Sequence, residues 1–142
     1  RDGAEIMSFE AESETIDDPV GFFGAHGHLN DAVVDHLVVE ATSQILQIMI
    51  DDLYANLEGR PDYPGARPCF FTFYNTGNLR WDVDISDGLR IAELRVIETD
   101  DAQRPFRLEV EFNIGGVGKG RHLSAQFAAL EMDDAGDLLE RD

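Results

Sequence analysis

Four stretches of the chain carry residue types at spacings that could do chemistry. Asp82, Asp84, Ser86 and Glu93 fall at the first, third, fifth and twelfth places of a calcium-loop spacing. The glycine such a loop needs, Gly88, sits one place late, and Val83 and Ile85 alternate with the acids as a strand does, so the segment reads as strand and turn. His26-Gly27-His28 with Asp31 offers half of a zinc or iron site, but nothing in the spacing brings His36 or His122 to complete it. These residues read instead as the end of a helix and the approach to a strand. Gly115-Gly116-Val117-Gly118-Lys119-Gly120-Arg121 has the glycines and lysine of a phosphate loop; Gly120 takes the place of the hydroxyl residue, and a strand-like run follows where a helix would be needed. That stretch reads as a hairpin loop. Cys69 opens an aromatic run and reads as a small buried hydrophobe. The expectation is therefore no enzyme, no metal and no cofactor.

The elements that must position any site are strands. Leu79–Ile85 is apolar at every second residue, with Trp81 at its middle, and is expected to be the centre of the fold. Asn30–Glu40, Gln44–Ile50, Cys69–Tyr74, Leu89–Ile97, Phe106–Phe112 and Leu123–Met132 read the same way. Ala41-Thr42-Ser43 should join the first two as a hairpin, and Ser86-Asp87-Gly88 should make a meander of the runs around Trp81. The apolar phase slips near Ala92-Glu93, which predicts a β-bulge. Ahead of the strands, Asp18 as cap, Pro19 at the first helical position and Gly27 past the end predict one short helix presenting Val20, Phe22 and Phe23. The fold class is thus all-β and mainly antiparallel: a small sandwich or open barrel of about seven strands with one N-terminal helix. Residues 1–18 form a flexible acidic lead-in, 19–132 the single domain and 133–142 an acidic tail. Met7-Ser8 reads as a natural start, which would make residues 1–6 upstream sequence.

Charge is the strongest compositional signal, with 29 acidic against 11 basic residues and a net of −18. It is concentrated early: residues 1–59 hold 13 Asp or Glu and one basic residue, Arg1. Such a field repels nucleic acid and anionic membrane and speeds encounter with cations, so the partner expected is a basic protein. Ten of the eleven basic residues are Arg, as in proteins adapted to salt, so solubility alone is the competing explanation of the charge. A single cysteine, no long apolar run and no signal-peptide order at the start place the expectation in the cytoplasm.

The stretch between Ile50 and Cys69 is the place expected to touch that partner. It is long, broken by Pro61, Pro64 and Pro68, and carries Asp51, Asp52, Tyr54, Glu58, Asp62 and Tyr63. Aromatic rings among carboxylates suit the grip of a basic surface. Tyr63-Pro64-Gly65-Ala66 has the residues of a type II turn, with Gly65 supplying the positive φ.

The run from Phe22 through Gly27-His28-Leu29-Asn30-Asp31-Ala32 to Val34, then Phe71-Thr72-Phe73 and Leu89-Arg90-Ile91, resembles a group of poorly characterised bacterial all-β proteins. In these a Gly-x-Leu-His-Asp-Ala segment opens the first strand, and Asn30 stands here where they often have His. Some members are predicted immunity proteins of polymorphic toxin systems. The resemblance covers Pro19 to Met132 and implies an all-β fold that binds and blocks a toxin, with no active site to transfer. A general structural role, or a small-ligand site lined by Phe70, Tyr74 and Trp81, are the alternatives.

Overall fold

The computed structural model describes residues 13–86, 88–113 and 121–134. The short helix forms as the caps predict: α1 (Pro19–Ala25) starts on Asp18, whose carboxylate Oδ1 accepts from the Gly21 N–H at 3.1 Å. Among the described residues nine strands follow in chain order: β1 (Glu14–Thr15), β2 (Val33–Glu40), β3 (Ile45–Ile50), β4 (Cys69–Tyr74), β5 (Gly77–Asp82), β6 (Leu89–Glu98), β7 (Phe106–Asn113), β8 (Arg121–Phe127) and β9 (Ala129–Asp134). All pair antiparallel in one open sheet of order β1-β9-β4-β3-β2-β6-β7-β8-β5. The count exceeds the seven expected because Leu123–Met132 is cut at Ala128 into β8 and β9, and because Glu14–Thr15, inside the presumed lead-in, pairs with β9.

The sheet curls around a single core. β2 meets β6 through only Val33 and Val34, while at the other side β8 runs into β9 with just Ala128 between them. Phe73 of β4 therefore reaches Phe127 of β8, ring centroids 5.0 Å apart. Helix α1 lies against β6, and its Phe23, fully buried, packs edge-on against Phe71 at 5.2 Å. Phe22 joins the same cluster, while Val20 stays exposed. On β3, Leu46, Ile48 and Ile50 point in and Ile45, Gln47 and Met49 out, as the period of two requires.

Two expectations about pairing are corrected. The run around Trp81 is an edge strand: among the described residues β5 pairs with β8 alone, and Trp81 is 49% exposed. Its alternation is real, with Trp81 on the same face as buried Leu123, but alternation reports which face is apolar and not how many neighbours the strand has. Nor is there a meander, because β4 pairs with β3 and β9, and β6 pairs with β2 and β7. The β2–β3 hairpin forms as expected, and the register of β6 against β7 slips between Ile91 and Glu93, where the bulge was predicted. The glycine-rich loop at 114–120, the residues 1–12 of the lead-in and 135–142 of the tail lie outside the described residues. Asp133 and Asp134, expected in the tail, belong to β9.

Candidate functional site

The long β3–β4 connection is organised from within by one carboxylate. Asp52 is only 4% exposed; its Oδ1 accepts from the Tyr54 N–H at 2.9 Å and the Arg67 N–H at 3.0 Å, and its Oδ2 accepts from the Tyr63 hydroxyl at 2.5 Å. A buried carboxylate is stable only when its lone pairs are filled, and here three donors from both ends of the loop fill them. Asp52 is thus the loop's brace, not part of a gripping surface. Asp51 also looks inward, its Oδ1 accepting from the Val33 N–H at 2.8 Å, which ties the loop to the start of β2.

Tyr54 is half-buried and its hydroxyl accepts from Arg67 Nη1 at 3.4 Å. The Arg67 guanidinium stands 4.0 Å from Asp134 at the end of β9. His26, at the end of α1, is packed between Phe22 (4.5 Å) and Tyr54 (5.9 Å). Burial, with Arg67 nearby, holds its imidazole below the ordinary 6.5. Burial likewise pushes the Cys69 thiol up to about 12, which leaves it without thiolate at neutral pH. Of the six residues expected to meet a partner, Glu58 and Asp62 stand exposed, Tyr63 is half-buried and tied to Asp52, and Asp51, Asp52 and Tyr54 serve the loop itself. Arg67, missed by sequence reasoning, and His26, read from sequence only as half of a metal site or a helix end, both meet the brace at Tyr54.

Beside the brace lies a left-handed turn. Gly27, His28 and Leu29 have φ of +62°, +55° and +54°, closed by Leu29 N–H to His26 O at 3.1 Å and Asn30 N–H to Gly27 O at 3.2 Å. Side chains resist this region, at roughly 1–2 kcal/mol per residue. Leu29, fully buried, holds the turn in place by anchoring it in the core. A Cβ at Gly27 would run into the Asn56 side chain, so both its conformation and the approach of the loop require glycine. The pair of histidines is separated by this turn, and Asp84 spends its Oδ1 on the Ser86 N–H and hydroxyl at 2.9 and 2.6 Å. Among the described residues no group of His, Cys, Asp and Glu side chains could hold a metal ion. No helix among them is long and apolar enough to cross a membrane.

The surface that the loop borders is the outer face of β2, β3, β4 and β9. Register puts Asp133, Phe70, Met49 and His36 in one row across it, and Glu131, Thr72, Gln47 and Val38 in the next. His36, Val38, Gln47, Met49 and Phe70 line a mostly apolar cleft of about 260 Å³. Val38 is 39% exposed within it. The strand next to the cleft turns carboxylates to the same side, Asp133 opposite Phe70 and Glu131 opposite Thr72. Glu131 Oε1 accepts from the Tyr74 hydroxyl at 2.5 Å, and Gln47 Nε2 donates to Thr72 Oγ1 at 3.1 Å, so the polar members of the face are fixed. Phe70 and Tyr74 belong to this face and Trp81 to the far edge of the sheet, so the three aromatics named as a ligand pocket are not brought together. Comparison of the chain with family models, curated proteins and solved structures finds no match.

Proposed function

We propose that the protein is a binding protein whose outer β2-β3-β4-β9 face docks a basic protein partner and occludes it, in the manner of an immunity protein that blocks a toxin. The observation that carries this reading is the apolar patch of Val38, Met49 and Phe70, spread over two neighbouring rows of the face that end on Glu131 and Asp133, on a chain of net charge −18. An apolar centre with a charged rim is the anatomy of a protein interface. Acidic groups at the rim speed encounter with a basic surface and orient it, and the apolar patch supplies burial once docked. The β3–β4 loop leaves the sheet just past Met49 and returns just before Phe70, so Glu58 and Asp62 add charge from the same end. The reading agrees with what the resemblance of residues 22–34, 71–73 and 89–91 to poorly characterised bacterial all-β proteins implies, some of those proteins being predicted immunity proteins. Occlusion needs no turnover, and the shifted imidazole of His26 and thiol of Cys69 are packed rather than presented. A small apolar ligand is the second reading, but about 260 Å³ is less than the roughly 300–1,000 Å³ of common ligand pockets.

Affinity capture from a lysate of the source organism, at low and at high salt, tests the proposal. It predicts recovery of one basic protein that is lost as salt rises; an empty eluate from a lysate in which such a basic protein is independently detected would overturn it.

A further inference from the structure

Among the described residues the open sheet ends on β5, which pairs on one side only, with β8. Free edges of this kind are normally blunted by charge, proline or brevity. This one carries Arg80 and Asp82 but between them presents Trp81, 49% exposed although it shares the inward face with Leu123, and just beyond it Ile85 is 74% exposed. The register slip against β8 lies between Gly77 and Arg80, so Arg80, Trp81 and Asp82 run regular along the edge. Around Trp81 the sequence is self-complementary. Counting outward, Arg80 is matched by Asp82, Leu79 by Val83 and Asn78 by Asp84.

From this we infer that the occupant of the β5 edge is a second copy of the chain, added antiparallel about a two-fold axis at Trp81. In that register Trp81 faces its own mate, each Arg80 faces Asp82 of the other copy, and each Leu79 faces Val83. The charges are disposed to allow it. Arg80 makes no ion pair among the described residues, and Asp82 Oδ1 is engaged by Arg121 Nη1 at 3.3 Å while its side chain remains 60% exposed. A one-residue shift in either direction would set Trp81 opposite a charged residue and bring the two acids or the two arginines closer to like charges, so the apolar and ionic matches select the same register. At the opposite edge, β1 is two residues long among the described residues, which is too short for such a template. The dimer would join two sheets through β5 and leave the β2-β3-β4-β9 face open, so it stands independently of the proposed partner.

Charge reversal separates this arrangement from any other. Sedimentation of the full chain over a micromolar-to-millimolar series should show a monomer–dimer equilibrium, with the emission of the single tryptophan shifting to the blue as dimer forms. Arg80→Asp alone and Asp82→Arg alone should each yield monomer, because each sets like charges opposite one another twice, and the double variant should recover the dimer. In the unmodified chain the Trp81 pair should also give an exciton couplet in the circular dichroism of the indole band, a readout that needs no variant. A chain that stays monomeric throughout the series, or a dimer without the couplet, or one that survives either single reversal, would overturn the inference.

Discussion

Asp52 shows how a residue chosen for one role by its type is given another by its burial. A carboxylate in an acidic, tyrosine-rich loop suggested a grip on basic groups, and nothing in the local sequence distinguishes it from Glu58. What differs is that Asp52 follows Ile50 by two residues, where the chain leaves the core strand β3, so its side chain is carried inward while its donors return from Tyr54, Tyr63 and Arg67. Asp52→Ala should cost roughly 3 kcal/mol, since it leaves buried donors unpaired, whereas Glu58→Ala should change stability by less than about 0.5 kcal/mol; urea denaturation of both variants checks the contrast. Gly27→Ala should lose at least about 1 kcal/mol through its left-handed φ and the Asn56 contact. The protonation of His26 has a definite sign. Its folded pKa lies below 6.5, so the unfolded chain binds the extra proton first, and the stability it contributes is intact above 6.5 and declines as pH falls beneath it. Tyr63 and Tyr74 act at the other end. Hydrogen bonds to Asp52 and Glu131 raise both to about 12, so their contribution is present below 10 and is lost as pH rises through 12. Denaturation midpoints across pH should therefore show both slopes, the acid one reduced by His26→Phe and the alkaline one by Tyr63→Phe with Tyr74→Phe.

At the scale of elements, the strands were legible because each writes its burial at a period of two, and the helix because Asp18, Pro19 and Gly27 mark both ends. The bulge at Ala92 was legible for the same reason, as a break in phase. Partnership was not legible. Leu79–Ile85 alternates as cleanly as Phe106–Phe112, yet among the described strands the first is the edge and the second lies inside the sheet, and the strands on either side of Ser86-Asp87-Gly88 end up with other neighbours. Pairing is decided by how the whole sheet curls around Phe71, Phe73 and Phe127, contacts remote in sequence that no local pattern records. The proposed docking face was hidden in the same way: Val38, Met49 and Phe70 are ordinary singly and come onto one face only through the registers of three strands. Burial in the described strands predicts a sharp contrast along β6. Leu94→Ala, at a fully buried position, should lose about 2–5 kcal/mol, and Ile97→Ala, at one 40% exposed, less than half of that, as thermal or chemical denaturation would read.

For the molecule as a whole, a net charge of −18 acts in two directions that salt separates. Within one chain the carboxylates repel each other, so screening should raise the melting temperature of the free protein. Between partners the same charges attract, so screening should weaken docking. A protein whose acidity served solubility alone would show the first effect and not the second. The central claim is that the outer β2-β3-β4-β9 face binds a basic protein, and it is met most directly by capturing partners from lysate in parallel with the unmodified chain and with Val38→Lys/Met49→Lys, at low and high salt. The account predicts one basic partner on the unmodified chain, released by salt and absent from a variant that is still folded. Equal capture by both chains, or capture indifferent to salt, would contradict it.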